Sequence, residues 1–505
     1  MSRSRLALGV LAGAVAAMLV FAGTRENAPG LALDGVTYMS AADALVHTGE
    51  LRVPFSRWFE ADSTSALSRW PPGLPVLIAI PHFVGIPILT GARGVLMLSA
   101  FLTVLGLVLL ADRVAGTPAA VIAAVLLIAS PDLARLHTSV WSEPPFLVCV
   151  VALLAALVLA ADRPLLHGVL AALGVLLRYA GIALAAAGAL WALARPGSWR
   201  RRMRSAALAG LPSVLAQLWW SRHIAREGAE AIRPFSITRL GWSVWRQGAE
   251  SLRDWLAPVQ LAPRLQYSLA VLVLVVSVGF FVLAVRRLRV GGERVRPGAT
   301  AAEARLYAAA ALLAGVYTMF IIAAKVFADG WITFDGRLFS PVIVVAEGAI
   351  AVALGAWWVR SAPAMRAVAG AAVVLWAACG LTTSAAEARI AMRDGRYMTY
   401  GYWRTSALLD WVRREGRHVP IYSNYPSAVF MYAHRSARES PSLGEFPRVR
   451  DFAATLARTG GVFVAFDMPS PWLLPNEALA KYLSLREIAR FPDGAVWAAP
   501  DSTPP

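Results

Sequence analysis

Leu31-Ala-Leu-Asp-Gly-Val-Thr-Tyr38 carries the acid on which the reading of this chain turns. Asp34 stands about a dozen residues beyond the first apolar segment, Leu6–Phe21, and Trp70-Pro-Pro-Gly-Leu-Pro75 follows as a proline-rich return toward the membrane. A carboxylate at the mouth of a membrane domain is costly unless it is paired or used. Where Asp34 points, and what joins it there, therefore decides what the chain can do.

The sequence around it is that of an integral membrane protein. Its hydrophobic fraction is 58% and its charged fraction 16%, outside the usual balance of soluble chains. Apolar runs of spanning or near-spanning length recur from Leu6 to Thr383, separated by short arginine-rich breaks. The formal charge of +17 invites a nucleic-acid partner. The arginines, however, cluster beside the ends of apolar segments, as in positive-inside topology, and form no basic groove interleaved with aromatics. The bilayer, not nucleic acid, is the expected partner. Cys149 and Cys379 fall within apolar segments and read as packing thiols. His47, His82, His137, His167 and His223 show no paired spacing, so zinc ligation by histidines is not expected.

Topology follows from the charges. Met1-Ser-Arg-Ser-Arg5 places the N-terminus in the cytoplasm and Asp34 outside, whether the first helix is retained or cleaved near Val20-Phe-Ala22. Arg195 to Arg204 and Arg286 to Arg296 mark cytoplasmic loops, with weaker marks at Arg113, Arg163 and Arg360 to Arg366. An odd number of crossings must separate Asp34 from Arg113. Two apolar runs are available, Pro72–Leu89 and Gly94–Ala111, and the first contains Pro72, Pro75, Pro81 and Pro87. Each proline removes a helix hydrogen bond, so residues 72–90 read as a broken juxtamembrane element that does not cross.

The remaining spans fall at about 94–111, 118–137, 146–161, 165–177, 181–194, 206–221, 266–285, 304–324, 338–358 and 364–383. With the first helix this predicts about eleven transmembrane helices, a first external loop over 24–72, a membrane domain over 1–385 and an external domain over 386–505. The segment from Arg239 to Trp255 has the spacing of an interfacial amphipathic helix. In the tail, Ser406–Arg414 and Val449–Arg458 read as helices, whereas Val419–Ser423, Gly461–Phe466, Leu485–Phe491 and Ala495–Ala499 read as strands. The fold class is thus a polytopic α-helical membrane protein with a C-terminal α/β domain.

This topology gathers charges on one side. Asp34 has Tyr38 one helical turn on. Leu136-His-Thr-Ser-Val-Trp-Ser-Glu-Pro-Pro145 brings His137 and Glu143, and Leu177-Arg-Tyr-Ala-Gly181 brings Arg178 and Tyr179. Lys325, Asp329, Asp335 and Arg337 flank the loop before the tenth crossing. Ionisable residues at membrane depth normally face a cavity and pair with one another. Each also has a plainer reading. Asp34 could cap a helix beginning near Val36, Glu143 could serve the dipole of the fourth span, and Arg337 could anchor at the interface. Asp43, Glu50, Glu60, Asp62 and Asp112 read as solvated loop charges.

Taken in order, Asp34-Gly-x-x-Tyr38, Pro71-Pro-Gly-Leu-Pro75, Ser142-Glu-Pro-Pro-Phe146, Leu177-Arg-Tyr-Ala-Gly181 and Phe334-Asp-Gly-Arg-Leu-Phe-Ser-Pro341 resemble the GT-C superfamily of membrane glycosyltransferases. The similar members are the protein O-mannosyltransferases and lipid A aminoarabinose transferases. Ile421-Tyr-Ser-Asn-Tyr-Pro426 and Ala433-His-Arg435 are similar to the external domain of bacterial members.

The resemblance implies sugar transfer from a polyprenyl-phosphate donor to a protein, lipid or polysaccharide acceptor, at the outer face of a bacterial cytoplasmic membrane. It implies Asp34 as catalytic base and Glu143 as the second acid. Arg178, Tyr179, Lys325 and Arg337 would hold the donor's phosphate, with Tyr38, His137 and Asp335 in support. Family members often carry Asp-x-Asp or Asp-Glu pairs. Gly35 follows Asp34 here, so no metal ligand is assigned and a divalent cation is left open. The family's Arg-Tyr-Leu-x-Pro element stands as Arg337-Leu-Phe-Ser-Pro341, without the tyrosine. Two other classes share the topology: a transporter of lipid-linked sugars and a non-catalytic scaffold. A transporter is expected to show a pseudo-repeat with charges on both sides of the midplane; here they are one-sided and no repeat is evident.

Overall fold

In hydrocarbon a backbone must close its own hydrogen bonds, and the apolar runs do so as helices. The computed structural model describes residues 3–26, 29–227, 237–259, 261–290, 297–468 and 473–500. Helix α1 (Arg3–Gly23) is followed by α2 (Leu33–Thr48), α3 (Gly73–Phe83) and α4 (Ile88–Ala115). Small residues let α1 lie close along α4: a Cβ on Gly13 would fall 2.8 Å from the Phe101 carbonyl oxygen. Helix α3 has 11 residues, about 16 Å of rise, too short to cross a core of about 30 Å. After four further residues α4 starts, six residues earlier than the spacing suggests.

Next come α5 (Thr117–Ala129) and α6 (Pro131–His137). The single span expected over 118–137 is in fact these two helices, bent by 62°. Pro131 sets the break, because a proline disfavours helical backbone at the residue before it; Ser130 is extended, with φ −69° and ψ 113°. The bundle continues through α7 (Glu143–Leu159), α8 (Pro164–Leu177), α9 (Gly181–Ala194) and α10 (Trp199–Arg226). It closes with α11 (Trp242–Leu256), α12 (Pro263–Val290), α13 (Pro297–Phe327), α14 (Gly336–Trp358) and α15 (Pro363–Asp394).

Among the described residues, five helices are long and apolar enough to cross a bilayer, α1, α4, α13, α14 and α15, or six with the bent pair. The expectation of about eleven crossings rests for the rest on shorter or more polar helices such as α7, α8 and α9, of 17, 14 and 14 residues.

The loop between α2 and α3 contains β1 (Arg52–Val53), β2 (Phe55–Arg57) and β3 (Ser65–Ala66). β1 pairs antiparallel with β3. β2 leaves them for a sheet built mainly by the C-terminal residues. That domain comprises α16 (Gly401–Arg404), α17 (Ala407–Arg414), β4 (Ile421–Ser423), α18 (Pro426–Ala433), β5 (Ala437–Glu439), α19 (Val449–Thr459), β6 (Val462–Phe466), α20 (Asn476–Tyr482), β7 (Arg486–Phe491) and β8 (Gly494–Ala498). The sheet order is β2-β5-β4-β6-β8-β7. Its first four strands run parallel, and β8 and β7 are antiparallel to their neighbours.

Two features cross the boundary expected at 385 and 386. Helix α15 runs to Asp394, and the first loop supplies an edge strand. Trp58 from that loop is 2% exposed, packs edge-on against Phe452 at 5.8 Å and donates from Nε1 to Glu445 at 3.2 Å. Arg69 adds an ion pair to Glu439 at 2.8 Å.

Candidate active site

The start of α2 is fixed from outside the helix. Gly30 donates its N–H to the Thr138 carbonyl at 3.0 Å and accepts from Val140 at 2.9 Å, a short parallel bridge to the segment after α6. Helix α2 then approaches that segment so closely that a Cβ on Gly35 would fall 2.8 Å from the Val140 carbonyl oxygen. Glycine at 35 is what lets Asp34, in the first turn, sit beside the start of α7. Asp34 is 7% exposed. Tyr38, one turn on, is buried and donates to Ser142 Oγ at 3.4 Å. Burial pushes its hydroxyl well above the usual phenol range, so it acts as a donor and not as a base.

Glu143 opens α7, with Pro144 and Pro145 in the first turn, where a missing N–H costs nothing. It is 1% exposed. Arg178 stands in extended backbone between α8 and α9. Those helices meet tightly, since a Cβ on Gly181 would fall 2.3 Å from the Gly174 carbonyl carbon. Arg178 Nη1 donates to Ser142 Oγ at 3.1 Å and pairs with Glu143.

Arg337 is the second residue of α14, whose start is capped by Asp335 accepting from the Leu338 N–H at 3.0 Å. Helix α11 holds the preceding turn. Gln247 accepts from the Phe334 N–H at 2.9 Å and Ser251 donates to the Phe334 carbonyl at 3.0 Å. From there Arg337 Nε donates to Glu143 Oε1 at 2.6 Å while its Nη2 donates to Asp34. The guanidinium also lies over the Trp141 ring, 4.3 Å from its centre.

Asp34, Glu143, Arg178 and Arg337 thus converge from four separate segments into one cluster of two acids and two guanidiniums. Buried charges persist when paired and hydrogen-bonded in this way. Ser142 and Trp141 belong to the cluster too, although the sequence reading takes only His137 and Glu143 from their stretch. Their signal was adjacency: a hydroxyl and an indole directly before the acid.

The other candidates lie elsewhere. Tyr179 donates to the Ser68 carbonyl at 3.2 Å and accepts from Trp220 Nε1 at 3.3 Å. Lys325 is 7% exposed and donates to the Gly330 carbonyl, where a phosphate contact was expected. Asp335 accepts from Thr333 Oγ1 at 2.6 Å besides capping α14, so its carboxylate serves the turn. His137 donates from Nδ1 to the Leu133 carbonyl at 2.8 Å. It lines a different cavity, of about 290 Å³, with Arg135, Glu387 and Arg396.

The cluster as it stands does not fit a divalent cation. The Arg337 guanidinium bridges the two carboxylates that would be ligands, and a side chain at position 35 would collide with the Val140 carbonyl. Calcium and magnesium ask for six or more oxygens.

Residues 70–220 match the family model of dolichyl-phosphate-mannose-protein mannosyltransferases. No curated protein sequence matches the chain. Among solved structures, the chain is similar to ArnT from Cupriavidus metallidurans bound to undecaprenyl phosphate, with a TM-score of 0.55 at 16% identity over 98% of this chain and 99% of that one. It is similar to the oligosaccharyltransferase AglB from Archaeoglobus fulgidus in complex with an inhibitory peptide and a dolichol-phosphate, with a TM-score of 0.52 at 14% identity over 92% of this chain and 69% of that one. The mycobacterial arabinofuranosyltransferase AftD gives a TM-score of 0.52 at 17% identity over 99% of this chain and 42% of that one. The fold is that of the GT-C membrane glycosyltransferases.

Proposed function

We propose that the chain is a glycosyltransferase that moves a sugar from a polyprenyl-phosphate donor to an acceptor hydroxyl or amide at the outer face of the membrane. One observation carries the reading: Arg337 bridges Asp34 and Glu143, and Arg178 pairs with Glu143 from the other side. Displacing a lipid phosphate from an anomeric carbon needs a base for the nucleophile and cations for the leaving group. This cluster contains both, already neutralised and buried. The undecaprenyl phosphate bound to the similar ArnT, and the dolichol-phosphate bound to AglB, support a lipid phosphate as the group the arginines receive.

In the proposed step the donor phosphate draws Arg337 and Arg178 toward itself. Asp34, released from Arg337, takes the proton of the acceptor. The acceptor's electron pair forms the new bond to the anomeric carbon. The bond from that carbon to the phosphate oxygen breaks, and the lipid phosphate leaves with its electrons, held by the guanidiniums. Glu143 keeps the arginines aimed, and Tyr38 orders Ser142 beside them. A single displacement inverts the anomeric centre. Tyr179, Lys325, His137 and Asp335 hold structural contacts and are given no chemical role.

The test is transfer of radiolabelled sugar from polyprenyl-phosphate donors by the full-length protein in liposomes. Asp34→Asn keeps an oxygen to accept from Arg337 but cannot take a proton. We expect turnover to fall by about 10²–10⁴ while the variant still folds, its melting midpoint lowered by a few degrees at most. Turnover of the variant at the wild-type rate overturns the assignment. Movement of intact donor across the bilayer without transfer would replace the enzyme with a transporter.

A further inference from the structure

We infer that the protein carries a transition-metal site, of the zinc type, formed by Asp43, His47 and His82, which clips α2 to α3. Asp43 and His47 are one turn apart on α2 and so share a face; His82 comes from the last turn of α3. The candidate donor atoms of the three lie within 4.8 Å of one another.

The spacing is closer to a metal site than that figure suggests. An ion held tetrahedrally at about 2.1 Å from each ligand sets its ligand atoms about 3.4 Å apart. Asp43 Oδ1 lies 3.2 Å from His82 Nε2 and 3.4 Å from His47 Nδ1. Two of the three edges already have the required length. The His47 ring is exposed and would turn on binding an ion, since its Nδ1 now donates to the Asp43 backbone carbonyl at 2.9 Å.

His82 supplies the second argument. Its Nδ1 faces the Ile86 carbonyl at 2.9 Å and must donate to it. A backbone carbonyl on the far nitrogen is the device that orients a metal-binding imidazole and fixes its tautomer. With that proton committed, Nε2 points at the Asp43 carboxylate. Nε2 is then the ring nitrogen left to take an ion, with the Asp43 carboxylate beside it as the second ligand. Two imidazoles and a carboxylate with one position left for water suit zinc or a similar ion, and do not suit magnesium or calcium. The side chains of Asp43 and His47 are 49% and 63% exposed, so an ion can enter from solution.

This site is separate from the acid–arginine cluster. Nine residues of α2 separate Asp43 from Asp34, about 13.5 Å along the helix. The effect on that cluster would be one of position. Between α2 and α3 the chain leaves to supply β2 to the C-terminal sheet, and a metal link would hold the two helices together at the end away from Asp34.

The experiment uses full-length protein with its affinity tag removed, stripped with chelator and titrated with zinc chloride against a chromophoric zinc indicator. Asp43→Asn/His47→Gln/His82→Gln is the comparison. We expect wild type to bind one equivalent more than the triple variant and to gain several degrees in melting midpoint with zinc, the variant gaining none. Magnesium at millimolar concentration should not displace the ion. If the triple variant fails to fold, the single variants at the exposed positions, Asp43→Asn and His47→Gln, should each bind zinc at least tenfold more weakly. Equal zinc content and equal midpoint shifts in wild type and variants overturn the site, whatever the outcome of the transfer assay.

Discussion

Replacing Arg337 by glutamine removes one of two cations from the cluster and leaves two buried carboxylates facing Arg178 alone. Asp34 loses its ion partner, while Glu143 keeps Arg178. The side chains involved are 9% exposed for Asp34, 1% for Glu143 and 28% for Arg337, so solvent does little to screen the imbalance. Breaking one partner out of a buried pair costs about 3–5 kcal/mol. Unfolding entropy of about 2.1 cal/mol/K per residue gives roughly 1.1 kcal/mol/K for 505 residues melting as one unit. The expected fall in melting midpoint is therefore about 3–5 °C. Adding Asp34→Asn to Arg337→Gln removes the stranded charge, leaves the Glu143–Arg178 pair balanced and places two amides where an ion pair stood. The double variant should recover most of the loss, with a coupling of about 2–3 kcal/mol between the two positions. The assay is thermal unfolding of wild type, both single variants and the double variant, and it needs no substrate. Additive effects of the two substitutions would refute the argument, because they would mean that Arg337 and Asp34 do not hold each other in the folded protein.

Two further outcomes follow from packing around the site. Gly35→Asp, the change that would create an adjacent pair of acids, should not yield a metal-dependent enzyme. The new Cβ meets the Val140 carbonyl oxygen at 2.8 Å, so a loss of about 1–3 kcal/mol and of transfer activity is expected, read by unfolding and by the radiolabel assay. Trp58→Ala should cost about 3–5 kcal/mol and free the first loop from the C-terminal sheet, seen as protease cleavage between residues 49 and 69; continued protection would show that β2 pairing alone secures the loop.

The members of the cluster were legible because each is a charge set in apolar sequence at one end of the bundle, where a partner is required. Lys325 satisfies the same rule, but its partner in the structure is the Gly330 carbonyl, and backbone acceptors leave no mark in a sequence. The break between α5 and α6 did leave a mark, Pro131, within a run long enough to pass as one span. Strand β2 has three residues, too few for any alternation, and its partner β5 lies roughly 380 residues further on. The Asp43, His47 and His82 grouping was hidden by reading histidine spacing alone. Its i, i+4 pair is an acid with a histidine, and the third member comes from a helix that packs beside the first only in the fold.

In the proposed mechanism the wiring of the cluster gives its two acids different roles. Glu143 has two cation partners and Asp34 has one. When a phosphate draws Arg337 away, Glu143 stays matched by Arg178, whereas Asp34 becomes a buried carboxylate with no cation against it. A carboxylate in that condition is left to accept a hydrogen bond from the acceptor's hydroxyl or amide, the geometry that general-base assistance needs. The donor's arrival would thus create the base at the moment the leaving group is secured. Before that, Arg337 keeps Asp34 paired, and proton abstraction without a donor in place is disfavoured. A second acid at position 35 would add a charge that no residue of the cluster is free to balance, and it would have to occupy space that the Val140 carbonyl already fills.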